Sequence, residues 1–155
     1  LAFIMTLIVD IQMASASEEA PDPQSIERWI GAAIGNQRES TELSVRIVDA
    51  EEGQALNEQF RGSTGATNVL SFPFENESPQ PLPLIGDIVI CAPVVAKEAR
   101  EQNKALNAHW AHMMIHGVLH LLGYDHQNET DANLMESLET EIMQGLGFPP
   151  PYSSQ

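Results

Sequence analysis

The chain has 155 residues, 22 of them acidic and 7 basic, for a net charge of -15, and Cys91 is its single cysteine. That length fits one domain, which can bury roughly 70% of the surface its unfolded chain exposes. An intramolecular disulfide is excluded, and so negative a chain lacks the positive field that general binding to nucleic-acid phosphates requires.

The first eleven residues are mostly apolar but too few to span a bilayer. No Lys or Arg precedes them as a signal peptide would require, although Ala14-Ser15-Ala16 superficially resembles a signal-peptidase site. Leu7, Val9 and Ile11 alternate with Thr6, Ile8 and Asp10, the pattern of a strand buried mostly on one face. Met5 is expected to be the native start, with residues 1–4 an extension, and the protein to be unexported and cytoplasmic. Pro21-Asp22-Pro23 opens a helix carrying Ile26, Trp29, Ile30 and Ala33 on one face, and Gly35 stops it. Leu43 to Val48 reads as a strand, and Asp49 as the N-cap of a short helix through Ala55, Leu56 and Phe60. Gly62 to Ala66 forms a loop, Thr67 to Phe72 a strand, Pro73 to Pro83 a proline-rich surface loop, and Gly86 to Cys91 a strand with Cys91 as core filling. Pro93 starts a helix running to about Asn103, on which Lys97, Arg100 and Lys104 would form a basic stripe beside Glu98 and Glu101, most simply a solvated face. A helix from about Leu106 to Leu122 breaks at Gly123. The last helix is expected to turn Leu134, Leu138 and Ile142 inward and Glu136, Glu139 and Glu141 outward, ending at Gly145, Gly147 and the prolines at 149 to 151.

Chemistry concentrates in His116-Gly117-Val118-Leu119-His120-Leu121-Leu122-Gly123-Tyr124-Asp125-His126. Histidines at i and i+4 share one helical face, so both imidazoles can reach one ion. Gly123 can end the helix in a left-handed conformation and bring His126 back to a third corner. Three neutral imidazoles leave a fourth tetrahedral position for water, the catalytic rather than the closed structural arrangement of zinc. His109 and His112 are expected to support the site or the core rather than to ligate. Asp125 either orients a ligand or is an exposed turn carboxylate. The spacing is that of the metzincin proteases except that Gly117 stands where they carry a glutamate base, which weakens the protease reading.

With its flanks, Thr67-Asn68-Val69-Leu70-Ser71-Phe72-Pro73, Gly86-Asp87-Ile88-Val89-Ile90 and His109-Trp110-Ala111-His112, this segment resembles the YbeY family of bacterial endoribonucleases over most of the chain, from Met5 to about Tyr152. The resemblance implies a single α+β domain with a mixed sheet of about four strands covered by five or six helices. It implies one Zn2+ on His116, His120 and His126, and metal-dependent cleavage of single-stranded RNA. The biological task it implies is maturation of the 3′ end of small-subunit (16S) ribosomal RNA and ribosome quality control, with the ribosome or its small subunit and proteins as partners, and neither DNA nor a membrane. Arg61 falls where the family has a functionally important arginine lining the cleft, suited to clamping a scissile phosphate. Many members carry Lys-Pro where this chain has Gly65-Ala66, so RNA binding is expected to be weaker or more dependent on a partner. Two other readings compete: a zinc peptidase or amidase with a base such as Asp87 or Glu75, and a non-enzymatic assembly factor whose metal only ties helices together.

Overall fold

Apolar and polar residues alternate along the extended segments, and burying each apolar set on a common face requires the segments to pair. In a computed structural model, which describes residues 5–62, 65, 67–75, 78–80 and 82–152, they pair into one mixed sheet. Its strands are β1 (Thr6–Ala14), β2 (Ser40–Val48), β3 (Val69–Pro73) and β4 (Leu84–Cys91), arranged β1-β2-β4-β3. β1 with β2 and β2 with β4 run parallel, while β3 runs antiparallel to β4 and forms an edge. Pro73 is tolerated on that edge because no further strand among the described residues asks for its missing N–H. Five helices join them: α1 (Pro23–Ile34), α2 (Ala50–Arg61), α3 (Ala92–Glu101), α4 (Leu106–Leu121) and α5 (Glu129–Gly145). This is the expected α+β class, with four strands and five helices among the described residues. The expected extension at residues 1–4, Ala66 of the Gly65-Ala66 pair and parts of the two expected loops lie outside the described residues.

The sheet separates two apolar clusters. Leu43, Val45, Ile47, Ile88 and Ile90 pack with α1 and α4 on one face, where Trp29, Trp110 and Ile115 are fully buried. Val48, Leu70, Val89 and Cys91 face the other side, against Leu56 of α2. Burial pushes the Cys91 thiol pKa up, so it is core filling as expected.

Helix ends follow local chemistry. Asp22 Oδ1 accepts the Ser25 N–H at 2.7 Å to cap α1, and Pro23 occupies the first turn. Asp49 stands at the N-cap of α2 without making the cap bond, because its carboxylate accepts instead from the Ser15 hydroxyl and the Ala16 N–H.

Two expectations are corrected. The Lys97–Arg100–Lys104 stripe does not lie on one helix, because α3 ends at Glu101. Asn103 takes a left-handed φ of 55°, and the Lys104 N–H returns to the Ala99 carbonyl at 2.9 Å. Lys104 then turns its ammonium to the Pro151 carbonyl, 2.9 Å away. The inward face of α5 is also one residue out of register. Met135, Glu139 and Met143 are buried, Leu138 and Ile142 only half-buried, and Leu134 is 53% exposed. Two adjacent apolar rows run along this helix, and the row containing Glu139 wins because α4 and the C-terminal segment supply donors for its carboxylate.

Candidate metal centre

Helix α4 approaches the sheet closely at Gly117. A Cβ built there would stand 3.2 Å from Ile88 and 3.3 Å from Val69, so a glutamate at this position would point into the packed sheet. This close approach lets the Ser71 hydroxyl donate to the Gly117 carbonyl at 3.2 Å and sets the flanking His116 and His120 beside the β3 edge. The helix then stops at Gly123, φ 103°. The Tyr124 N–H bonds to the Leu119 carbonyl at 3.0 Å and the Gly123 N–H to the His120 carbonyl at 3.1 Å, the bond pair of a Schellman stop. Asp125 accepts the backbone N–H of His126 at 2.7 Å, while its carboxylate lies 4.0 Å from the His126 ring, so it holds the turn rather than the imidazole.

The result brings the three expected ligands together, with one nitrogen from each of His116, His120 and His126 within 4.8 Å of the others. Zinc–nitrogen bonds of about 2.0–2.1 Å in a tetrahedron place ligand nitrogens roughly 3.4 Å apart. The Nε2 atoms of His116 and His120 stand 3.1 Å apart, so the donor set fits one such ion. Burial, together with the neighbouring His116 and His126, lowers the His120 pKa and keeps it in the neutral, ligating form to lower pH than an ordinary histidine.

These histidines line a cleft of about 410 Å³ together with Arg61, Asn68, Ser71 and Asp125. Arg61 is the last residue of α2, exposed, where Gly62 at φ 67° terminates the helix. Asn68 is held from behind: Glu98 accepts from its amide at 3.1 Å and from His109 Nε2 at 2.9 Å. Glu98 thus joins a network rather than a purely solvated face. Burial pushes the His109 pKa down, opposed by Glu98. The two bases considered for another hydrolase are elsewhere. Ile88 meets Gly117, so the adjacent Asp87 faces the opposite side of the sheet, where it accepts from the Ser44 hydroxyl. Glu75 follows β3, outside the residues that line the cleft.

Sequence reasoning missed Glu139, which is 1% exposed. Its Oε2 accepts from His116 Nδ1 at 3.0 Å and from His112 Nε2 at 2.7 Å, and its Oε1 accepts from the Tyr152 hydroxyl at 2.8 Å. The available signal was Met135 and Met143 at i-4 and i+4, which mark a buried row through position 139. Burial alone would raise the carboxyl pKa, but the hydrogen bonds and charges of His112 and His116 outweigh it and hold it down to about 2. A carboxyl depressed from its ordinary 4.5 contributes stability that is fully present above that value and is lost as pH falls toward about 2. Thermal midpoints of the metal-free wild type are therefore expected to fall more steeply than those of Glu139→Gln between about pH 4.5 and 3. Parallel curves would refute the linkage.

The family model described as endoribonuclease YbeY matches residues 11–147. The solution structure of a Thermotoga maritima protein resembles the chain with a TM-score of 0.59 at 23% identity, over 96% of this chain and 100% of that one, a likeness of fold.

Proposed function

The chain belongs to the YbeY endoribonuclease family, and from that premise we propose that it is a zinc-dependent endoribonuclease cutting single-stranded RNA, with His116, His120 and His126 as ligands and Arg61 as the phosphate clamp. The observation that carries this reading is the convergence of three imidazole nitrogens within 4.8 Å in a cleft that Arg61 also lines. When bound, zinc would supply Lewis-acid charge at the scissile phosphate and activate water for attack. The chain's own residues do the rest. The Arg61 guanidinium offers a planar fork of N–H donors to phosphate oxygens and offsets the charge that develops on them. Ser71 and Asn68 present polar groups along the cleft wall, and Asn68 is steadied by Glu98. Gly117 leaves no carboxylate where a metzincin keeps its base, and neither Asp87 nor Glu75 replaces it.

The cellular substrate in this reading is the 3′ end of small-subunit ribosomal RNA, with a further part in ribosome quality control in the cytoplasm. At a net charge of -15 the protein has weak attraction for bulk RNA, so the ribosome or its proteins present the substrate. No helix among the described residues is long and apolar enough to cross a membrane.

Stripping metal with a chelator is expected to abolish cleavage of a single-stranded RNA oligonucleotide, and added zinc to restore it, while the same sequence as duplex RNA or as DNA stays intact. Ribosome-bound RNA should be cut faster than free RNA. A protein that binds zinc stoichiometrically yet cuts neither free nor ribosome-bound RNA would overturn the nuclease reading and leave a structural metal.

A further inference from the structure

We propose that Glu139 is a positioning residue of the metal centre, setting the tautomer and ring orientation of His116, and that Tyr152 makes the C-terminal segment part of the same centre. The inference rests on the metal-binding reading above. An ionised carboxylate only accepts hydrogen bonds, so the nitrogen facing Glu139 Oε2 at 3.0 Å, His116 Nδ1, must carry its proton. The neutral ring then has its lone pair at Nε2, the atom that stands 3.1 Å from His120 Nε2 and faces the ligand cluster. By the same rule His112 carries its proton at Nε2, 2.7 Å from the carboxylate, and leaves its buried Nδ1 as an acceptor without a partner among the described residues.

A carboxylate this buried persists only when donors surround it. His112 and His116 serve one oxygen, and Tyr152 serves the other at 2.8 Å. Tyr152 arrives from beyond α5, and its ring meets that of His112 edge-on, 5.2 Å between centroids. The preceding Pro151 is buried and its carbonyl accepts from Lys104 at 2.9 Å, which ties the segment to the turn before α4. Two separate anchors thus hold the tail where it closes the Glu139 network. Loss of the Tyr152 hydroxyl leaves Oε1 without that donor and loosens the carboxylate that orients His116.

Two readouts test this on the full chain. In a competition titration against a chromophoric chelator, Glu139→Gln is expected to weaken zinc binding about 10–100-fold, and Tyr152→Phe to weaken it by a smaller factor. Nitrogen-15 NMR of the metal-free wild type should find His116 as the Nδ1–H tautomer, and Glu139→Gln should mix the two tautomers. Unchanged zinc affinity in a folded Glu139→Gln protein would overturn the proposal. If that variant does not fold, the wild-type tautomer decides, because His116 protonated at Nε2 contradicts the assignment directly. A wild type that binds no zinc would defeat the metal reading instead, while the tautomer measurement would still judge the role of Glu139.

Discussion

Replacing His120 by alanine is expected to abolish zinc binding and RNA cleavage together while the fold persists. His120 is half-buried near the end of α4, and alanine is the better helix former, so the backbone has no reason to rearrange. The change removes one of three converging nitrogens and leaves His116 Nε2 without the partner that stands 3.1 Å away. Circular dichroism of the metal-free variant should match wild type, and bound zinc should drop from one ion per chain to none after dialysis. Stability gives a second measure. At a free zinc concentration a hundred times its Kd, binding adds about 2.7 kcal/mol to a protein that takes the ion only when folded. Wild type should show that gain on zinc addition, and His120→Ala should not. Full zinc occupancy in the variant would mean that the ion sits elsewhere and that the three histidines are not its ligands.

The second large effect is expected from Arg61→Ala, and it should dissociate what His120→Ala removes together. Arg61 is exposed at the C-terminal end of α2, where its charge complements the helix dipole, so its loss should cost less than about 1 kcal/mol of stability. It supplies no atom to the histidine cluster, so zinc affinity should stay at the wild-type value. Cleavage should fall by about 10²–10³, the range seen when one donor to a developing negative charge is deleted. Arg61→Lys should recover only part of the rate, since an ammonium keeps the charge but not the two-pronged donor geometry. An Arg61→Ala protein that cuts single-stranded RNA as fast as wild type would remove Arg61 from the mechanism and leave the zinc site intact.

Most of what positions the histidines is local and therefore legible in the amino-acid sequence. The i, i+4 pair follows from the helical period, and Gly123 marks the stop that returns His126. The strands are legible from alternation, although β3 begins at Val69 rather than Thr67, just after Asn68, whose side chain bonds to Glu98 and to the Val69 N–H. The inward face of the last helix is not legible, because two apolar rows lie side by side and periodicity alone does not rank them. The basic stripe fails because a left-handed Asn103 turns the chain away two residues after α3 ends, and nothing in the charge pattern encodes that turn.

The amino-acid sequence by itself determined the three-histidine cluster, since all three fall within eleven residues whose geometry is governed by one helix and one turn. Only the tertiary structure decided what surrounds that set. Glu139 lies 23 positions from His116, and Tyr152 lies 40 from His112. Whether they meet depends on how α5 and the C-terminal segment pack across α4. A carboxylate in an amphipathic helix is ordinarily cheapest in water, and it goes inward here because three donors converge on it from elements distant in the chain. Arg61 and the β3 edge join the cleft for the same kind of reason: Gly117 allows α4 to approach the sheet, and side-chain packing against Ile88 and Val69 sets that distance.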